Sequence, residues 1–130
     1  MSLVMAQNEC LKKQNQDLQK VLIKNQYKTL EPIIQEENEQ LRTVQKAIEH
    51  YGVPLQKLVA IEEMAELMKE IVKDFRGEGN RNDIIEEIVD VEIMTQQLNL
   101  IYDCTFDVIE KRREKIERLK VRMKNDNKND

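Results

Sequence analysis

The chain has 130 residues, 35% charged and 40% hydrophobic, with a net charge of −4, three glycines, two prolines and no tryptophan. That is room for one domain at most, and long charged-and-aliphatic stretches with few breakers favour helices. No apolar run approaches the roughly 18 residues of a membrane span, and the overall acidity is not that of a dedicated nucleic-acid binder.

Residues 1–30 are polar, with Val4, Leu11, Leu18, Val21 and Leu22 forming a thin apolar stripe near a seven-residue spacing. That pattern predicts a helical extension in need of a partner, or a frayed arm. Nothing in the first twenty residues resembles a signal peptide, so the expectation is a soluble cytoplasmic protein. Glu31-Pro32 breaks the pattern, and Pro32 suits the first turn of a new helix that stops at Gly52. Pro54 opens the next helix, to about Phe75. Arg76 to Asn82, with two glycines, reads as a loop. Asp83 and Glu86 have the form of a capping box for a helix ending near Tyr102. Thr105 then caps a last helix from Phe106 to Met123, and the tail over 125–130 is expected to be disordered. The expected fold is all-α: an antiparallel four-helix bundle over 31–124, with the N-terminal extension outside it.

Few residues other than carboxylates, Lys and Arg can carry chemistry. His50 is the only histidine, which removes His-rich zinc sites and argues against a Ser–His or Cys–His nucleophile. Cys10 and Cys104, far apart and without CxxC spacing, read as reduced thiols. From Lys111 onward nine basic residues face four acidic ones, so an acidic body carries a basic C-terminal helix.

Two acidic stretches stand out: EEMAEL from Glu62 and EEIVDVEIM from Glu86. Glu63 and Glu66 are one turn apart on the first helix, and Glu87 and Asp90 are one turn apart on the second. The loop between makes these helices antiparallel neighbours, so the four carboxylates can converge. A solvated acidic face explains Glu62, Glu70, Glu78 and Glu86, and a chain this acidic reaches such spacings by chance readily. It explains Glu87 and Asp90 less well, because they share a face with Met94, Leu98 and Ile101. A carboxylate among aliphatics is paired, protonated or bound to a metal, and all-oxygen ligation suits Mg²⁺ or Mn²⁺.

The EExxE run from Glu62 to Glu66, followed by ExxD from Glu87 to Asp90, resembles the signature of MazG-like nucleotide pyrophosphohydrolases. The flanking AIEHYG, KDFRG and EEIVDVEIMTQQL stretches match as well, and the likeness is to small, single-module members, phage-type ones included. It covers about Val44 to Met123. The resemblance implies hydrolysis of a nucleoside triphosphate to the monophosphate and pyrophosphate. By position, Glu63, Glu66, Glu87 and Asp90 would hold Mg²⁺, and Glu62 would orient or deprotonate the attacking water. Glu70 and Glu92 are spare acidic candidates. Lys73, Arg76, Lys115 and Arg118 are the expected phosphate ligands, and Gln56 is a contact for base or sugar. The family builds its active unit from dimers or tetramers. Two alternatives stay open. One is a non-enzymatic helical module binding protein or nucleic acid. The other is the same fold acting on dUTP or phosphoribosyl-ATP.

Overall fold

The computed structural model describes residues Leu3 to Asn129. Every regular element among them is helical: α1 (Leu3–Tyr51), α2 (Val53–Phe75), α3 (Arg81–Ile101) and α4 (Thr105–Lys128). The all-α class expected from composition is therefore what forms. The chain divides into two compact units, one ending at Arg42 and the other beginning at Thr43. The division falls within α1.

Pro32 does not start a new helix. It lies inside α1, in place of the break expected at Glu31-Pro32. A proline there lacks the N–H and crowds the carbonyl of Lys28, at about 3 kcal/mol. Pro32 and its neighbours are exposed, so water can take up the freed carbonyl, and good helix formers on both sides carry the helix on.

In the second unit the expected boundaries hold at the first junction. Gly52 has φ 88° and donates to the Ile48 carbonyl at 2.9 Å, which ends α1. Pro54 then sits in the first turn of α2. The loop after Phe75 turns through Gly77 at φ 77°. Gly79 is needed for a different reason: a Cβ there would come within 2.8 Å of the Asp74 Cα.

Three expected caps shift. Asn80, not Asp83, caps α3: its Oδ1 accepts from the backbone N–H groups of Asn82 at 2.9 Å and Asp83 at 3.3 Å. Extended backbone at Asn80 puts its short amide over these two orphan donors, so no Asp83–Glu86 box is required. Thr105 is the first residue of α4 and Cys104 takes the capping position. The left-handed Asp103, at φ 49°, turns the chain there. Finally, α4 continues to Lys128, where the sequence reading ends the helix at Met123 and leaves a disordered tail. Of that tail, Asp130 lies outside the described residues.

Packing in this unit centres on α2 against α3, with α3 meeting α4 more lightly. Among the described residues, the buried apolar side chains are Val44, Ala60 and Met94. Three polar ones are buried with them: Gln56, Glu70 and Gln97. Ile61, Met68, Phe75 and Phe106 remain largely exposed, so broad aliphatic faces stay open.

Candidate functional site

The buried residues of α2 and α3 define an antiparallel register. Near the N-terminal end of α2, Gln56 Nε2 donates to Gln97 Oε1 at 2.7 Å, and both side chains are buried. One turn on, the small Ala60 and the long Met94 are both buried. One turn further come Glu63 and Asp90. The seam thus changes, over about two turns, from a matched amide pair to an apolar pair to two carboxylates.

Glu63, Glu87 and Asp90 converge: one carboxylate oxygen from each lies within 4.8 Å of the others. Glu63 and Glu87 are half-buried, and Asp90 is exposed. Neither glutamate is at ease as an anion. Partial burial pushes the Glu63 carboxyl up, and the charges of Asp90, Glu62 and Glu66 push it further. Glu87 is raised by desolvation first, then by Glu63, Asp90, Glu66 and Glu70. The Oε2 atom of Glu87 is buried with no hydrogen-bond partner.

The fourth expected ligand stands apart. Glu66 is not one of the three converging groups. Its Oε2 is paired with Lys69 Nζ at 3.0 Å. Lys69 in turn holds its proton more tightly, first through that hydrogen bond and then through the charges of Glu66, Glu70 and Glu87. It is the cation that feels this cluster most directly.

Glu70 corrects another expectation. A solvated face was to account for it, yet it is only 5% exposed. Its Oε1 pairs with Lys73 Nζ at 2.7 Å, while its Oε2 is buried without a partner. The signal was legible: Glu63, Glu66 and Glu70 recur at helical spacing along one side of α2. Gln97 was missed altogether. Gln96 and Gln97 are adjacent and alike in type, and only the pairing with Gln56 reveals which of them is buried.

The remaining expected residues are scattered. Glu62 is exposed beside Glu63. Gln56 is buried in the seam, donating to Gln97, rather than open to a base or sugar. Lys73 is engaged by Glu70. Arg76 is exposed at the end of α2, and Glu92 is exposed on α3. Lys115 lines a shallow groove along α4 with Lys111, Arg112, Ile116 and Leu119. Arg118 lies 3.8 Å from Glu114. Neither Lys115 nor Arg118 is among the charges acting on Glu63 or Glu87.

The donor set suits a hard divalent cation: three carboxylates, no nitrogen or sulfur, and one buried oxygen still unpaired. No helix among the described residues is long and apolar enough to cross a membrane. In comparisons with known proteins, no family model, no curated protein and no solved structure matches this chain.

Proposed function

We propose that this chain is a Mg²⁺-dependent nucleoside triphosphate pyrophosphohydrolase of the MazG-like kind, releasing a monophosphate and pyrophosphate. One observation carries the reading: Glu63, Glu87 and Asp90 bring oxygens within 4.8 Å of one another across two helices, while Glu87 keeps a buried oxygen unpaired. Like charges so placed destabilise the fold unless a cation sits among them. The motif spacing Glu62-to-Glu66 and Glu87-to-Asp90 adds to it.

Glu63, Glu87 and Asp90 would hold the ion, with Glu66 joining them if it leaves Lys69. Bound there, Mg²⁺ (or Mn²⁺) supplies charge neutralisation for the triphosphate oxygens and a lowered pKa for water. The chain's own residues do the rest. Glu62, exposed beside the cluster, accepts a proton from the attacking water at a carboxylate oxygen. Lys69 and Lys73, tied to Glu66 and Glu70, are positioned to turn toward phosphate. Arg76 is exposed at the C-terminal end of α2. Lys115 and Arg118 serve the same end only if another copy presents them. The open aliphatic faces of α2 and α3 favour such an assembly of two or four chains.

The test incubates the protein with a panel of NTPs and dNTPs, dUTP and phosphoribosyl-ATP included, and follows pyrophosphate release with and without Mg²⁺. Turnover that depends on Mg²⁺ and disappears in Asp90→Asn supports the reading. No turnover of any substrate, together with unchanged Mn²⁺ binding in Asp90→Asn, overturns it.

A further inference from the structure

The first compact unit, up to Arg42, is a stretch of α1 in which every described side chain is exposed. Its aliphatics are not spread at random. Six of them, Leu11, Leu18, Leu22, Leu30, Ile34 and Leu41, stand at intervals of seven, four, eight, four and seven residues, with Val21, Ile23 and Ile33 between them and outside that spacing. The series reads the same from either end, and its centre is Gln26. At about 100° per residue, all six fall within an arc of about 160°, with Gln26 near the middle of that arc; Ile23 and Ile33 add to the same apolar face without sharing the symmetry. Each remains about half exposed or more, from 48% for Leu30 and Leu41 to 61% for Leu18 and Leu22.

A palindromic row matches a second copy of itself when the two run antiparallel. A twofold axis at Gln26 then sets Leu11 level with Leu41 of the other copy, Leu18 with Ile34 and Leu22 with Leu30, each contact occurring twice. A parallel pair would instead set each residue against its own equivalent, for which the palindrome has no use.

The charges select the same arrangement. Up to Lys28 the chain carries five lysines against Glu9 and Asp17, a net +3. From Thr29 to Arg42 it carries Arg42 against Glu31, Glu36, Glu37 and Glu39, a net −3. Parallel pairing superposes like on like. Antiparallel pairing about Gln26 brings Lys12 and Lys13 within about one helical turn of Glu36, Glu37 and Glu39 of the other copy. It also opposes the two helix dipoles.

We propose that the Leu11–Leu41 stretch of α1 is a homotypic interface, on which two copies of this chain pair antiparallel about Gln26. The helix needs such a partner. Its stripe is exposed and its polar face is rich in Gln, Asn and Lys, and helices in proteins are held mainly by the packing of an apolar face. The proposal is independent of the carboxylate cluster, which lies in the other unit.

Disulfide trapping in the full chain tests it, in a Cys10→Ser, Cys104→Ser background. Gln26→Cys sits on the proposed axis and should give a covalent dimer under mild oxidation at micromolar concentration. Leu18→Cys alone should not, whereas an equal mixture of Leu18→Cys and Ile34→Cys should give the mixed dimer. Adding Leu22→Asp and Leu30→Asp should abolish the Gln26→Cys dimer, with the thermal transition of the second unit unchanged. The proposal is overturned by a Gln26→Cys chain that stays single. Self-linking of Leu18→Cys as efficient as that of Gln26→Cys, which marks a parallel pair, overturns it too. So does a Gln26→Cys yield insensitive to the two aspartates.

Discussion

The two ends of the α2–α3 seam are built in one register and treat polar groups in opposite ways. At the Gln56–Gln97 end, two buried amides answer each other at 2.7 Å. At the Glu63–Glu87–Asp90 end, groups of like charge share a space of 4.8 Å and a buried oxygen has no partner. Between them, Ala60 and Met94 supply two of the three buried apolar side chains. The contrast teaches where to look for function. A chain that can match a buried glutamine with a glutamine has the means to give a carboxylate oxygen a lysine, as it does for Oε1 of Glu70 with Lys73. Where it leaves carboxylates facing each other, the missing partner is something that arrives.

The sharpest way to break this comparison is at the acidic end. Asp90→Asn keeps the shape and removes a charge. It should lower Mg²⁺-dependent pyrophosphate release by more than the roughly 10- to 100-fold typical of losing an outer-shell partner. In the same variant Mn²⁺ affinity, followed by titration calorimetry, should fall in step. An unchanged affinity would mean that the acidic end is only a surface.

The middle of the seam is next. Met94→Ala empties one of the few filled positions and should lower unfolding free energy in urea by about 2–5 kcal/mol. A loss well under that range would mean that the seam is not what holds this unit together.

The amide end makes a paired test. Gln97→Leu strands the buried Gln56 amide and should destabilise by about 1–3 kcal/mol, while Gln56→Leu with Gln97→Leu should recover most of it. If the double variant is no better than the single, the amides are not acting as a pair.

The smallest effect is one of pH. Glu63 and Glu87 both have folded pKa values above the ordinary glutamate value of 4.5. They bind protons more tightly folded than unfolded, so their protonation favours the fold. That contribution is present below pH 4.5 and is lost as pH rises through the raised folded values. In EDTA, the Tm of the chain should therefore decline as pH climbs above 4.5, and Glu87→Gln should lessen the decline. Saturating Mg²⁺ should flatten it as well. A wild-type Tm that falls no more steeply than that of Glu87→Gln over this window in EDTA would contradict the raised Glu87 carboxyl.

Much of the fold was legible because it is written locally. Gly52 with Pro54, and Gly77 in the 76–82 loop, mark the end of α1 and both ends of α2 through backbone conformations that few other residues adopt, while Gly79 lets the loop close against Asp74. Pro32 misled for a physical reason: its penalty of about 3 kcal/mol is real, yet a long exposed helix can carry it. The start of α3 misled because Asn80 and Asp83, three residues apart, could each cap it, and geometry chose Asn80. At the site, helical spacing put Glu63 on one side of α2 and Glu87 and Asp90 one turn apart on α3, which allowed them to meet without requiring it. The same spacing included Glu66, whose carboxylate a lysine one turn away draws aside. Rotamer choice of that kind leaves no trace in spacing.

What the sequence by itself determined is the helical class, most helix boundaries and the side of each helix on which the carboxylates stand. These follow from a 3.6-residue period and from glycine and proline stereochemistry. Tertiary structure alone decided which of those carboxylates face one another, that Glu70 is buried against Lys73, and that Gln56 spends its amide on Gln97. The reason is that burial and pairing depend on the register of α2 against α3. That register is set by side chains more than thirty residues apart, meeting only once the hairpin has closed.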